Sequence, residues 1–330
     1  MDRRKFLQGA LAAPMVPALA SSARAQAWPA RNITMIVPFP PGGQADLAAR
    51  PVALALEKLL GRSVIVDNRG GAGGLLGNAA AARAEPDGHT LLMALSSMTF
   101  LPEAERLFDR KPSYELDQLV PVARVLADPG VLCVRSDAPW KSVADLVADA
   151  KKRPGQISFS SSGNYGAAHV PFEMFEQAAG IKLLHIPYRG GGPALTAFLG
   201  KQVDITAQAP GPITPHVQSG AARLLASWGA KRSAEYPDVP TMIELGYKDV
   251  EYYIWAGLFA PKSTPEPVIT RLRDAMRKVM VDPAVTKVFI TASSPPAYLD
   301  QLEFQKFVDA DAKRLIPVIR KIGRLDENTK

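Results

Sequence analysis

One ten-residue stretch limits the folds open to this chain more than any other: Val37-Pro38-Phe39-Pro40-Pro41-Gly42-Gly43-Gln44-Ala45-Asp46. An apolar, partly β-branched run from Ile33 to Val37 precedes it, and an Ala/Leu-rich pattern of helical period follows from Ala45 to Leu60. The order predicts a strand, a stiff turn and a helix start. Prolines 38, 40 and 41 fix φ and remove backbone donors ahead of the turn. Gly42 and Gly43 lack Cβ, so a guest atom can approach the backbone closely. The N–H groups beyond them belong to a first helical turn and have no partner inside the helix. Together with the positive end of the helix dipole they suit an anion. The stretch therefore reads as a carboxylate cradle, or as a tight strand-to-helix turn that holds nothing.

The same device recurs along the chain. Ser63 to Asp67 is a second strand, followed by Asn68-Arg69-Gly70-Gly71-Ala72-Gly73-Gly74 and a helix from Leu75 to about Ala84. A dinucleotide loop would need G-x-G-x-x-G, but after Gly71 and Gly73 position 76 is Leu, and no acidic residue closes a following strand. The glycines read instead as close packing of helix on sheet. Thr90 to Leu95 is a third strand, ending in Ser96-Ser97-Met98-Thr99-Phe100. Hydroxyls at the carboxyl end of a strand lie where ligands bind in open α/β sheets, or they cap the next segment. Ser142 with Asp145 opens a helix that Pro154-Gly155 stops. Ile157 to Ser160 then runs into Ser161-Ser162-Gly163-Asn164-Tyr165-Gly166-Ala167-Ala168-His169 and a helix to Ala179. Leu183 to Tyr188 ends in Arg189-Gly190-Gly191-Gly192-Pro193 and a further helix start, and Val203 to Ala207 ends at Gln208. Leu224 to Ala230 is extended and returns the chain to its first half. Tyr252 to Ala260 is a strand-like run, and Thr264–Val279 and Leu302–Ile322 are amphipathic helices.

Several chemistries are absent. His89, His169, His185 and His216 sit apart, without metal-ligand spacing, so no metal and no cofactor is expected. Cys133, the single cysteine, lies in an apolar strand and reads as a small core filler. No G-x-S-x-G elbow and no Walker A loop occur. The basic residues are scattered without interleaved aromatics, so nucleic acid is not an expected partner. What converges is backbone N–H groups and hydroxyls, which is a vocabulary of binding. Ser162 with His169 is the one nucleophile–base pair a secreted enzyme could use. His169 is otherwise a solvated or capping histidine, and Arg189 is either a bidentate carboxylate clamp or a surface arginine.

The N-terminus carries Arg3-Arg4-Lys5, a short apolar run from Gly9 to Ala20 and an Ala23-Arg24-Ala25 cleavage pattern. This reads as an export signal, of twin-arginine type or an ordinary Sec signal that happens to carry Arg-Arg, cleaved near Ala25, and it places the mature chain in the periplasm. Its removal takes away four basic residues and Asp2, lowering the formal charge from +7 to +4. At 330 residues the chain suits two domains.

The chain resembles the Bug-type extracytoplasmic solute receptors of tripartite tricarboxylate transporters. The resemblance rests on Val37–Asp46, Val66–Gly74, Pro86-Asp-Gly-His-Thr-Leu-Leu-Met93, Ser161-Ser-Gly163, His185-Ile-Pro-Tyr-Arg-Gly190, Gly192-Pro-Ala-Leu195 and Pro237-Asp-Val-Pro-Thr241, spread over the mature chain. It implies an α/β two-domain periplasmic binding protein of Venus-flytrap, type II-like form, each domain a mixed sheet flanked by helices. Residues 26–127 and 228–330 would form one domain and 128–227 the other. It further implies a monomer that captures a small organic carboxylate in the cleft and passes it to membrane subunits of the transporter. A role as the receptor of a two-component sensor kinase is the alternative. The implied ligand contacts are Phe39, Gly42, Gly43, Gln44, Ala45, Asp46, Ser96, Ser97, Ser162, Gly163, Asn164, Tyr165, His169, Arg189, Gly190 and Gln208. Position 45 is Ala where the family commonly has a hydroxyl, and position 208 is Gln where it often has Asp. That favours a plain mono- or dicarboxylate over an amino acid. Pro51 is expected to kink or shorten the first helix.

Overall fold

The strand-to-helix turns read from the sequence build two sheets. The computed structural model describes residues 28–325. The twin-arginine segment and the cleavage pattern lie outside the described residues. The strands are β1 (Ile33–Val37), β2 (Val64–Asn68), β3 (Thr90–Leu95), β4 (Leu119–Pro129), β5 (Val131–Arg135), β6 (Ser158–Ser161), β7 (Leu184–Pro187), β8 (Ile205–Gln208), β9 (Ala222–Ser227), β10 (Tyr253–Pro261) and β11 (Leu299–Asp300). The helices are α1 (Gln44–Leu60), α2 (Leu75–Ala82), α3 (Leu101–Leu107), α4 (Val143–Lys152), α5 (Val170–Ala179), α6 (Gly191–Leu199), α7 (Pro210–Gln218), α8 (Glu266–Val279), α9 (Pro283–Thr291) and α10 (Gln301–Ile322).

The first sheet has the order β11-β4-β10-β3-β1-β2 and the second β7-β6-β8-β5-β9. In each, the parallel trio places its first strand in the middle: β1 pairs parallel with β2 and β3, and β6 with β7 and β8. An antiparallel strand then extends each trio, β10 beside β3 and β5 beside β8. At β1 and β6 the winding reverses, and the loops leaving the carboxyl ends of these strands part to leave a crevice. The fold is thus a two-domain α/β architecture whose two crevices can face each other.

The chain passes between the lobes at Gly130, between β4 and β5, and again between β9 and β10. The two passages are bonded to one another. The Gly130 N–H donates to the Tyr252 carbonyl (3.3 Å), Trp228 N–H to the Gly130 carbonyl (2.8 Å) and Tyr252 N–H to the Trp228 carbonyl (2.8 Å). Buried strands β1 and β3 read as continuous apolar runs, as strands covered on both faces do. Cys133 is fully buried.

Two local expectations needed correction. Pro51 neither shortens nor interrupts α1, which runs for 17 residues. The missing N–H costs one bond to the Leu47 carbonyl, while buried Ala48, Ala49, Val52, Ala53 and Leu56 hold the helix by packing. Helices α3, α7 and α9 arise where the sequence suggested no element. All three carry proline in the first turn, where a backbone N–H is not needed.

Candidate carboxylate site between the lobes

The turn after β1 is held rigid from below. Asp46 accepts from the Gly42 N–H (3.2 Å), from Asn68 Nδ2 (3.2 Å) and bidentately from Arg50 (2.8 and 2.9 Å). Burial opposes its ionisation, but these hydrogen bonds outweigh it and hold the carboxyl below the usual range. Asp46 and the Gly42 amide therefore serve the turn itself. The amides of Gly43, Gln44, Ala45 and Asp46 have no acceptor among the described residues, because the first bond of α1 runs from Leu47 N–H to the Gly43 carbonyl.

Gly43, Gln44 and Ala45 border a cavity of about 20 Å³ between the lobes, room for roughly one water molecule. Phe39, Gly43, Gln44, Ala45, Leu95 and Ile254 line it from the first lobe. Ser162, Ala168, Gly191, Gln208 and Ala209 line it from the second. The starts of α1, α6 and α7 converge there, each bringing the positive end of its dipole. No lining side chain is ionisable. An anion finds amides and helix ends, whereas an ammonium group finds no counter-charge.

The polar side chains are fixed by neighbours. Gln208 Nε2 donates to the Gly191 carbonyl and to Thr206 Oγ1, both at 3.3 Å, leaving its oxygen as an acceptor. Ser162 Oγ accepts from the Ala168 N–H (3.2 Å). Gln44 Nε2 bonds Ser294 Oγ (2.9 Å) and Asp128, and Ser294 Oγ also donates to Asp128. Asp128 ends β4 beside the lobe crossing, and burial pushes its carboxyl up to about 7.

The lobes meet backbone to backbone. A methyl group on Gly192 would sit 2.6 Å from the Pro41 carbonyl oxygen, one on Gly163 2.9 Å from Gly73 N, and one on Gly190 2.8 Å from Pro40 Cδ. Glycine at these positions lets the lobes close. On the Asn68–Gly74 loop, Gly73 faces the opposite lobe, while Gly74 packs under Phe39 and Gly77 of α2 against Pro38.

Of the sequence-based contacts, Phe39, Gly43, Gln44, Ala45, Ser162 and Gln208 come together at the cavity. The others lie elsewhere. Ser96 bonds the Tyr252 hydroxyl (3.1 Å) and Ser97 the Gly73 carbonyl (3.0 Å), both fully or almost fully buried behind the site. Gly163, Asn164, Tyr165 and Arg189 line a groove of about 1420 Å³ on the outer side of the seam. That groove is far larger than the cavity, but only the cavity gathers the free amides of α1. Gly190 packs against Pro40. His169 is wholly buried, stacked on His185 with ring centroids 4.1 Å apart; its Nδ1 accepts from the Tyr165 N–H (3.2 Å) and its Nε2 lies 3.0 Å from Glu173 Oε1. No hydrogen bond joins it to Ser162, so the nucleophile–base pair is not formed. The sequence reading missed Leu95, Ala168, Gly191, Ala209 and Ile254. Gly191 was signalled by its glycine run; Ile254, on an antiparallel strand remote in sequence, carried no signal.

The model of the tripartite tricarboxylate transporter family receptor matches residues 48–324. The chain belongs to this receptor family. It is 35% identical over 305 residues to protein BugT of Bordetella pertussis, covering 92% of this chain and 93% of that one. The structure of the periplasmic binding protein BugD superposes with a TM-score of 0.84 at 33% identity, covering 90% of this receptor and 99% of that chain. MatC from Rhodopseudomonas palustris with bound malate superposes with a TM-score of 0.82 at 27% identity, covering 88% and 100%. No described helix is long and apolar enough to cross a membrane.

Proposed function

We propose that this receptor captures a small organic carboxylate at the interlobe cavity, which must widen beyond its present volume of about 20 Å³ to admit one, in the periplasm, and delivers it to the membrane subunits of a tripartite tricarboxylate-type transporter. The observation that carries the reading is the convergence of the starts of α1, α6 and α7 on a cavity whose lining has no ionisable side chain. A carboxylate there accepts from the unpaired amides of Gly43, Gln44 and Ala45 and lies against dipole ends that favour it. A buried ammonium would go uncompensated at a cost of several kcal/mol. This supports a plain mono- or dicarboxylate over an amino acid, and the malate bound to MatC, a structural relative, agrees with the class.

The working division puts 26–127 and 228–330 in one lobe and 128–227 in the other, with export by the twin-arginine route. The protein acts as a monomer and needs no cofactor. Closure is a hinge motion at the two bonded passages, biased by contacts made only when the lobes meet. Isothermal titration with malate, succinate, benzoate, glutamate and ATP tests the reading. Binding of at least one of the three plain acids, with glutamate at least tenfold weaker, is the expected result. Binding of ATP alone, or of glutamate in preference to every plain acid, overturns it.

A further inference from the structure

Tyr165 belongs to the second lobe, in the turn between β6 and α5 whose neighbours Ser162 and Ala168 line the cavity. It is held in an unusual conformation for a side-chain-bearing residue, with φ at 51°. Its own N–H is tied to His169 Nδ1, and that ring is stacked on His185 in the lobe interior. The turn thus presents the Tyr165 side chain rigidly across the seam.

Everything that side chain grips on the far side belongs to the first lobe. The ring packs edge-on against Phe108, with centroids 6.2 Å apart at 78°. The hydroxyl donates to the Gly323 carbonyl (2.6 Å) and accepts from the Leu325 N–H (3.0 Å). Both its hydrogen-bonding capacities are used. Residues 323–325 are the strap that leaves α10, a helix packed on β4 and α3. The strap is pinned to the first lobe by Arg320 on Glu103 (2.7 Å) and by Arg324 on Asp109 and the Leu107 carbonyl. Tyr165 is 4% exposed in this arrangement.

We infer that Tyr165 is a positioning residue that latches the lobes closed: its hydroxyl bonds to Gly323 and Leu325 form when Gly163 meets Gly73 and break when the lobes part. A rotation that separates Gly73 from Gly163 carries Tyr165, two residues on, away from Phe108 and from the strap. The strap stays behind, because its arginines hold it to the first lobe. The latch lies outside the cavity, so it contributes to ligand affinity without touching the ligand. It raises the fraction of molecules in the closed, binding-competent state, and apparent affinity scales with that fraction. The inference rests on the receptor reading, and the test separates the two.

Tyr165→Phe keeps the ring on Phe108 and removes both hydroxyl bonds. Spin labels on a Lys58→Cys, Lys151→Cys background, both sites exposed and one in each lobe, report lobe separation without any ligand. The latch predicts a shift of the distance distribution toward the open state in Tyr165→Phe. It predicts about a tenfold rise in the Kd for succinate or benzoate, whichever binds wild type more tightly, carried by koff. The unliganded Tm stays within about 2 °C of wild type. Arg324→Ala, which frees the strap instead, shifts the distances in the same direction, and the double variant goes no further than the larger single effect. An unchanged distance distribution in Tyr165→Phe, with or without a fallen Tm, overturns the latch, since the bonds would then be permanent parts of the fold. If no acid binds wild type, the receptor reading falls while the distances still decide the latch.

Discussion

Gly192→Ala sets stability against binding at a single atom. The methyl group would stand 2.6 Å from the Pro41 carbonyl oxygen and 3.3 Å from Gly42 C, both backbone atoms of the opposite lobe. A carbon–oxygen contact relaxes at about 3.3 Å, so the closed lobes must part by about 0.7 Å at this point. Neither partner can rotate away. Overpacking of this kind costs about 1–3 kcal/mol, and here the cost falls only on the closed state. Affinity should therefore drop about 5- to 150-fold. Within its own lobe the change is favourable: Gly192 lies in the first turn of α6, and alanine in a helix gains up to about 1 kcal/mol over glycine. The unliganded Tm should hold or rise while the Kd for the preferred acid rises. Calorimetric titration reads the second quantity and a thermal scan the first. A Kd within twofold of wild type would refute the reasoning, because the loaded receptor could not then have the seam seen here.

Two further outcomes follow from the site's electrostatics. Gln208→Asp places a carboxylate on the cavity wall, where it repels a bound carboxylate; acid affinity should fall at least about tenfold and recover as pH drops through the carboxyl's titration, read by titration calorimetry at several pH values. Asp128 is raised in the fold from 3.8 to about 7, so the folded state binds its proton more tightly than the unfolded chain. Its contribution is fully present below about pH 4 and is lost as pH rises to about 7. Asp128→Asn should flatten that part of the stability profile, measured by urea unfolding between pH 4 and 8; a profile parallel to wild type would show that Asp128 does not titrate there.

Much of the framework was legible because it is local. The proline-rich turn before Gly42, the alternation of apolar strands with helical periods, and the Ser142–Asp145 box found in place at the start of α4 each depend on a few consecutive residues. The capped start of α9 was equally local and was overlooked: Asp282 accepts from the Ala284 N–H with Pro283 next in line. Helix α7 was hidden by its own composition, since Pro210, Pro212 and Pro215 read as a loop until packing supplies the rest. Of the residues that line the cavity, those next to a glycine turn were named from the sequence, and residues such as Leu95 and Ile254 were not, because apolar lining has no local signature.

By itself, the sequence determined which turns could hold an anion: glycine, the positions without backbone donors, and the helix starts are properties of neighbours in the chain. Only the tertiary structure decided which of those turns face each other. It set Gly43 against Gly191 and Gly192, drew Asp46 into its own turn, buried His169, and set Tyr165 and Arg189 along the larger groove, away from the cavity. The reason is physical: a turn's donors are fixed by local geometry, but the direction in which they point depends on how two sheets, which the chain crosses between at Gly130 and between β9 and β10, pack against one another.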